Sequence, residues 1–186
     1  MEQPARSRYA LLIIDMINDL EFEHGPCLFP YAFEAAKQIT ILKKRLKAIG
    51  VPIIYVNDNY GKWQSDFPGI VDHCMKEGMT GKPIVELIKP DEDDYFVLKP
   101  KFSGFFATPL ELLLTHLEVD TLIITGVAGN MCVQFTANDA YMRDYKLIVP
   151  ADCVASNTVD TNNEAIHLMR DVLKANVSPA KEIDFE

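Results

Sequence analysis

Residues 121–132 read Thr-Leu-Ile-Ile-Thr-Gly-Val-Ala-Gly-Asn-Met-Cys, and the chain continues as Val133-Gln134-Phe135-Thr136-Ala137-Asn138-Asp139-Ala140. The apolar run 122–124 has the length and β-branching of a buried strand. Gly126 and Gly129 interrupt it with residues that accept backbone angles others resist. Beyond Asn130, the residues Val133, Thr136, Ala137, Ala140 and Tyr141 recur at the spacing of one helix face. Strand, turn and helix in that order place Cys132 in a first helical turn at the end of a buried strand. Unpaired N–H groups and the positive end of the helix dipole favour a thiolate there. A nucleophilic cysteine is one reading and a small buried apolar residue is the other. This stretch alone does not choose between them.

Outward from it, the same alternation repeats. Residues 8–14, Arg-Tyr-Ala-Leu-Leu-Ile-Ile, are almost continuously apolar, as in a strand covered on both faces, and they end at Asp15. A polar loop then runs through Gly25-Pro26. A helix is expected over 32–49, with Ala35, Ile39, Leu42, Leu46 and Ile49 on one face and Gly50 closing it. A second strand, 51–56, leads into Asn57-Asp58-Asn59. Segment 60–88 reads as a long loop with short helices near 69–77 and 83–88, and loops of that length are usually functional. A strand at 95–98 ends in Lys99-Pro100. Helices near 108–117 and 130–143 flank the strand at 121–125. A strand at 146–149 precedes Pro150-Ala151-Asp152, a helix covers 161–175, and a short strand is expected near 180–184.

Strands alternating with helices imply an α/β fold, with three α/β/α layers around a mostly parallel, Rossmann-like sheet of about six strands. No repeat or linker divides the 186 residues, so one domain over 1–186 is expected. The net charge of −9, with no basic stretch beyond Lys43-Lys44-Arg45, argues against nucleic acid or an anionic membrane as partner. The first apolar run stops at Asp15, too early for a secretory leader, and no run is long enough to cross a bilayer. Cys27, Cys74, Cys132 and Cys153 are widely spaced, without a Cys-x-x-Cys pair. Free thiols in the cytoplasm are expected, rather than a zinc site or a disulfide frame.

Ligands of such sheets bind beyond the carboxyl ends of the strands. The residues just past the expected strands are Asp15, Asn57-Asp58, Lys99, the turn 126–128 and Asp152. Taken singly, Asp15 reads equally well as a turn residue and Lys99 as a solvated charge. On one rim with Cys132 they form a workable triad. The carboxylate can take the thiol proton, the ammonium can lower the thiol pKa, and loop N–H groups can hold an oxyanion.

Four stretches carry a family resemblance in register across nearly the whole chain. They are Leu-Leu-Ile-Ile-Asp15-Met-Ile-Asn-Asp, Lys99-Pro-Lys-Phe-Ser-Gly-Phe-Phe-Ala-Thr-Pro-Leu, Gly126-Val-Ala-Gly-Asn-Met-Cys132-Val and Ala-Asp152-Cys-Val-Ala-Ser156. The chain resembles the isochorismatase-like cysteine hydrolases, among them nicotinamidases, N-carbamoylsarcosine amidase and ureidoacrylate amidases. The resemblance implies a triad of Asp15, Lys99 and Cys132, and a cis peptide between Val127 and Ala128. It also implies an oxyanion hole from the N–H groups of Ala128 and Cys132, no cofactor, and a homodimer or homotetramer.

Several positions depart from the family pattern. Ile17 stands where relatives often carry Gln, and Gly129 where many carry Thr. Tyr60 replaces the first His of the nicotinamidase metal signature, Asp-x-His, so Asp58 and His73 are expected to hold no metal. Tyr60, Trp63, Phe67 and Phe102 are expected to wall a pocket for a small-molecule substrate. The expected activity is hydrolysis of a C–N bond in a small amide, ureido or carbamoyl compound through a thioester. The alternatives are isochorismatase-type ether hydrolysis, which in the family does without a cysteine nucleophile, a non-catalytic binding protein, and a redox pairing of Cys132 with Cys153.

Overall fold

Side chains alternate along β1 (Tyr9–Ile14), and that alternation organises both faces of the sheet in the computed structural model, which describes residues 8–61, 63 and 66–185. Leu11 and Ile13 point to one face, where they meet Ile39, Leu42 and Leu46 of α1 (Gly25–Ala48). On that face also pack Phe67 and Val71 of α2 (Phe67–Cys74) and Ile84, Val85 and Ile88 of α3 (Lys82–Ile88). Ala10, Leu12 and Ile14 point the other way, towards α4 (Leu110–His116), α5 (Gln134–Tyr141) and α6 (Val159–Asp171). Burying one such aliphatic side chain contributes about 1.5–3 kcal/mol, and β1 buries five residues in succession.

The strands run in the order β3 (Tyr95–Lys99), β2 (Ile53–Asp58), β1, β4 (Thr121–Val127), β5 (Lys146–Ile148). A two-residue β6 (Val154–Ala155) also pairs with β4, and every pairing is parallel. The chain lays β2 and β3 to one side of β1, then crosses to β4 and β5 on the other. This reversal opens a crevice between the carboxyl ends of β1 and β4, the place where ligands of such folds sit. Among the described residues no helix is long and apolar enough to cross a membrane.

Three expectations shift. Helix α1 begins at Gly25 rather than near 32, because Pro26 falls in the first turn, where a missing N–H costs nothing. Pro30 lies inside the helix and is accommodated. Strand β2 is displaced to Ile53–Asp58, so Asn57 and Asp58 are its last residues. The short strand expected near 180–184 is instead a 3₁₀ turn, Ala180–Glu182, held by the Arg45 guanidinium donating to the carbonyls of Ala180 (2.7 Å) and Ile183 (2.9 Å). The acidic turn before β3 closes on lysines of α1. Lys47 Nζ lies 2.7–2.9 Å from carboxylate oxygens of Asp91, Asp93 and Asp94, and Lys43 Nζ lies 2.6 Å from Asp94.

Gly126, near the end of β4, lies close against Ile14 of β1 and also pairs with Val154 of β6. Its φ is 108°, and an added Cβ would lie 2.1 Å from the Ile14 carbonyl oxygen. Gly126→Ala therefore combines backbone strain with a clash against rigid backbone. It should lower the unfolding free energy by at least about 2 kcal/mol, measured by urea denaturation. A change below about 0.5 kcal/mol, ordinary for a surface substitution, would mean that the strand end is free to move.

Candidate active site

Three strand ends deliver the site. Asp15 follows β1 with φ of 52°, a left-handed conformation that aspartate tolerates better than most residues. Its N–H donates to the Val56 carbonyl at 3.0 Å, and its Oδ1 accepts the Asp58 N–H at 2.7 Å. Its Oδ2 lies 2.8 Å from the Nζ of Lys99, the last residue of β3. That lysine is fully buried, and its ammonium also donates to the Lys101 carbonyl (3.2 Å) and to Cys132 Sγ (3.3 Å). Asp58 Oδ2 stands 3.8 Å away. The loop after Asp15 is fastened by Asn57, buried at the end of β2, whose amide accepts from Ile17 N–H (3.2 Å) and donates to the Ile17 carbonyl (3.0 Å).

The Val127–Ala128 peptide is cis, as the family resemblance implies. The turn after it differs from the expected first turn of an α-helix. Residues Gly129–Val133 then form a π-helical turn, and α5 starts only at Gln134. The N–H groups of Met131 (2.9 Å) and Val133 (3.2 Å) both donate to the Ala128 carbonyl, which widens the turn; such turns are frequent at functional sites. Thr136 pins the result. Its hydroxyl donates to the Cys132 carbonyl at 2.7 Å and accepts the Gly104 N–H at 2.9 Å.

Behind the turn, Ser156 Oγ accepts the Asn130 N–H (3.3 Å) and donates to Asn162 Oδ1 (3.0 Å), while Asn162 Nδ2 donates to the Val154 carbonyl (3.1 Å). A Cβ on residue 129 would lie 2.4 Å from Asn162 Oδ1 and 2.8 Å from Ser156 Oγ. The glycine is thus set by this brace. Ile17, the other departure from the family pattern, is fully buried in the core beneath α1.

Electrostatics reverse the expected lowering of the thiol pKa. Burial, and then the neighbouring Asp15 carboxylate, push the Cys132 thiol up to about 12, outweighing the Lys99 ammonium. Burial likewise raises Asp15 above the ordinary carboxylate value, against the lowering effect of Lys99, the thiol and the Asp58 N–H. Lys99 loses from burial but gains more from Asp15, Cys132 and Asp58, and is raised. The arrangement is a thiol of raised pKa beside the Asp15–Lys99 pair. Helix dipole and lysine were legible in the sequence; the depth of the thiol was not.

A cleft of about 660 Å³ opens beside Lys99, lined by Asp58, Pro100, Lys101, Phe102, Ser103, Phe106, Phe135 and Asp139. Phe102 takes its expected place there, edge-on to Phe135 with centroids 5.4 Å apart. The other three expected wall residues do not line this cleft. Phe67 is 4% exposed, packs in the core because it begins α2 over the sheet, and stacks on half-exposed Phe96. Trp63 is 78% exposed. Tyr60 turns its hydroxyl to donate to the Ile17 carbonyl at 3.0 Å. Phe106, Phe135, Ser103 and Asp139 went unnoticed, although Phe106 lies in the same quoted stretch as Phe102. Asp152 accepts the Ala180 N–H at 2.8 Å and serves the C-terminal turn. His73 Nε2 lies 2.9 Å from Asp19 Oδ2. Among the described residues the one carboxylate cluster close enough to hold a cation is Asp91, Asp93 and Asp94, which Lys47 already bridges. All four cysteines are free.

The model of the isochorismatase domain matches residues 9–181. An isochorismatase family protein of Bacillus subtilis strain 168, YaaI, is 46% identical over 174 residues, which cover 94% of this chain and 95% of that protein. Among solved structures, N-carbamoylsarcosine amidase from Thermoplasma acidophilum superposes with a TM-score of 0.76 at 30% identity, covering 96% of this chain and 100% of that one. The nicotinamidase SaPncA from Staphylococcus aureus does so with a TM-score of 0.71 at 25% identity, covering 92% and 98%.

Because Asp15 raises the thiol and Lys99 lowers it, their removal acts in opposite directions. Asp15→Asn should speed iodoacetamide labelling of Cys132 at pH 7, and Lys99→Met should slow it, about tenfold for each unit of thiol pKa. Mass spectrometry of the Cys132 peptide reads the rate, with exposed Cys27 as internal reference. Equal labelling in the two variants would contradict the charge assignment.

Proposed function

The chain belongs to the isochorismatase family, and from that premise we propose that it is a cysteine hydrolase cleaving a C–N bond of a small amide, ureido or carbamoyl compound. The observation that carries the reading is the contact set of Lys99, whose ammonium touches both the Asp15 carboxylate and the Cys132 sulfur. An ether-cleaving or purely binding protein has no use for a thiol held against a base and a cation.

Asp15 takes the thiol proton as Sγ attacks the carbonyl carbon. The C=O π electrons move onto oxygen, and the N–H groups of Ala128 and Cys132 receive that oxyanion. Collapse of the tetrahedral species breaks the C–N bond, and Asp15 returns its proton to the departing nitrogen. A thioester remains on Cys132. Water, deprotonated by Asp15, attacks the thioester; the C–S bond breaks and the proton goes back to sulfur. The raised Asp15 suits this exchange, because a carboxylate of higher pKa is a stronger base towards the thiol and holds the proton until the leaving nitrogen takes it.

Ammonia release from a panel of small amides, ureas and carbamates tests the proposal. At least one should be turned over, and Cys132→Ala should lose roughly a thousandfold or more of that rate. The same turnover with Cys132→Ala would sink the mechanism. The pH dependence follows from the direction of the shifts. Activity requires Asp15 ionised, so kcat/KM should rise through a single ionisation above the ordinary value of 3.8. With Lys99 raised above 10.5 and the thiol near 12, the profile should then stay flat to pH ~9. A descending limb near pH 8 would place a different group in the reaction.

A further inference from the structure

The cleft beside Lys99 carries features that hydrolysis itself does not use. Phe102, Phe106 and Phe135 stand 45%, 56% and 47% exposed along it, a concentration of open apolar surface around one concavity. Two carboxylates, Asp58 and Asp139, share the lining with a single ammonium, Lys101.

The two carboxylates are held differently. Asp139 Oδ2 accepts the Ser103 hydroxyl, and its Oδ1 lies 3.5 Å from Arg143 Nη1. Asp58 is turned towards the reaction centre. Its Oδ1 accepts the Tyr60 N–H at 2.6 Å, which fixes the group. Its Oδ2 is 3.8 Å from Lys99 Nζ, outside hydrogen-bonding reach, and its side chain is 40% exposed. A carboxylate has about four acceptor positions, so acceptor capacity faces the cleft. Lys99 attracts it through charge but has no donor left to hydrogen-bond it, since Asp15, the Lys101 carbonyl and Cys132 Sγ take its three. Asp58 and the thiol both lie against that same ammonium, so whatever Asp58 holds is within a short ligand's reach of Sγ.

We infer that this cleft selects ligands with a planar ring bearing a protonated amine, the ring among Phe102, Phe106 and Phe135 and the ammonium on Asp58. As a substrate preference this rests on the hydrolase reading above; as a binding preference it stands alone. A cation gains a charge-assisted hydrogen bond to Asp58 and attraction to the ring faces. An anion meets the Asp58 carboxylate. The selection is therefore opposite to what a carboxylate-bearing compound such as carbamoylsarcosine, named for one structural relative, requires.

Ligands without an amide separate the two readings. Benzylamine, benzyl alcohol and benzoate are titrated into the unmodified protein by calorimetry at low and physiological salt. Benzylamine should bind about tenfold more tightly than benzyl alcohol, and benzoate most weakly. Asp58→Asn should bring the ratio of the first two close to one. Glu164→Gln, which removes an exposed charge of α6 away from the cleft, should leave that ratio in place. Benzoate binding as tightly as benzylamine, or an amine advantage that survives Asp58→Asn, overturns the inference. If Asp58→Asn does not fold, the order of the three ligands on the unmodified protein decides. In the second arm, 3-(aminomethyl)benzamide should exceed benzamide and 3-carbamoylbenzoate in kcat/KM. No turnover of any amide, with the binding order intact, counts against the hydrolase reading and for the cleft.

Discussion

Lys99 is a fully buried ammonium at the edge of the sheet, and the protein around it is arranged to make that tenable. An uncompensated buried charge costs several kcal/mol, so the residue can exist there only with partners at good geometry. Those partners come from register. The parallel pairing of β2 with β3 sets Asp58 opposite Lys99, and the pairing of β1 with β2 sets Ile14 opposite Val56. Asp15, one residue beyond, can then both bond the Val56 carbonyl and reach the ammonium. A slip of one residue in either ladder would send these side chains to the other face and leave the charge unpaired. Fold and site are thus one constraint: the hydrophobic alternation that fixes the register also fixes the ion pair.

Much of this could be read from the chain because strands buried on both faces are written as uninterrupted apolar runs. Residues 9–14 and 122–124 could hardly be anything else, and the polar residues that end such runs fall at the rim where ligands bind. What escaped depended on neighbours rather than on local pattern. The start of α1 was hidden by Pro26 and Pro30, whose cost depends on their position within the helix. The two residues of β6 have no periodicity to detect; they are a strand only because Gly126 and Val127 offer them a ladder. Phe67 was placed in the pocket on account of its type, whereas the turn of α2 over the sheet sends it into the core. The protonation of Cys132 went the same way, since dipole and lysine can be inferred from residue order and desolvation cannot.

The stretch around Cys132 shows how a departure from a family pattern can be local bookkeeping. At position 129 a side chain would collide with Asn162 and Ser156, the pair that braces the turn from α6. Residue 129 and this pair therefore form a unit, in which the support for the backbone before Cys132 comes from outside the loop. Thr136 and Gly104 secure the other side of the same turn. The turn that carries Cys132 is thus held from two flanks.

For the proposed mechanism a thiol of raised pKa is no weakness, because of the charges around Lys99. Moving the proton from Cys132 to Asp15 creates no new charge. The negative charge leaves a carboxylate 2.8 Å from the ammonium and appears on a sulfur 3.3 Å from it. The cation stabilises both states, so the low dielectric that makes an isolated thiolate costly penalises only the small difference between them. A thiolate formed in advance, beside an ionised Asp15, would instead place two anions against one cation in a dry site. In the proposed mechanism burial therefore disfavours an isolated thiolate, while passing the proton to Asp15 leaves the total charge beside Lys99 unchanged.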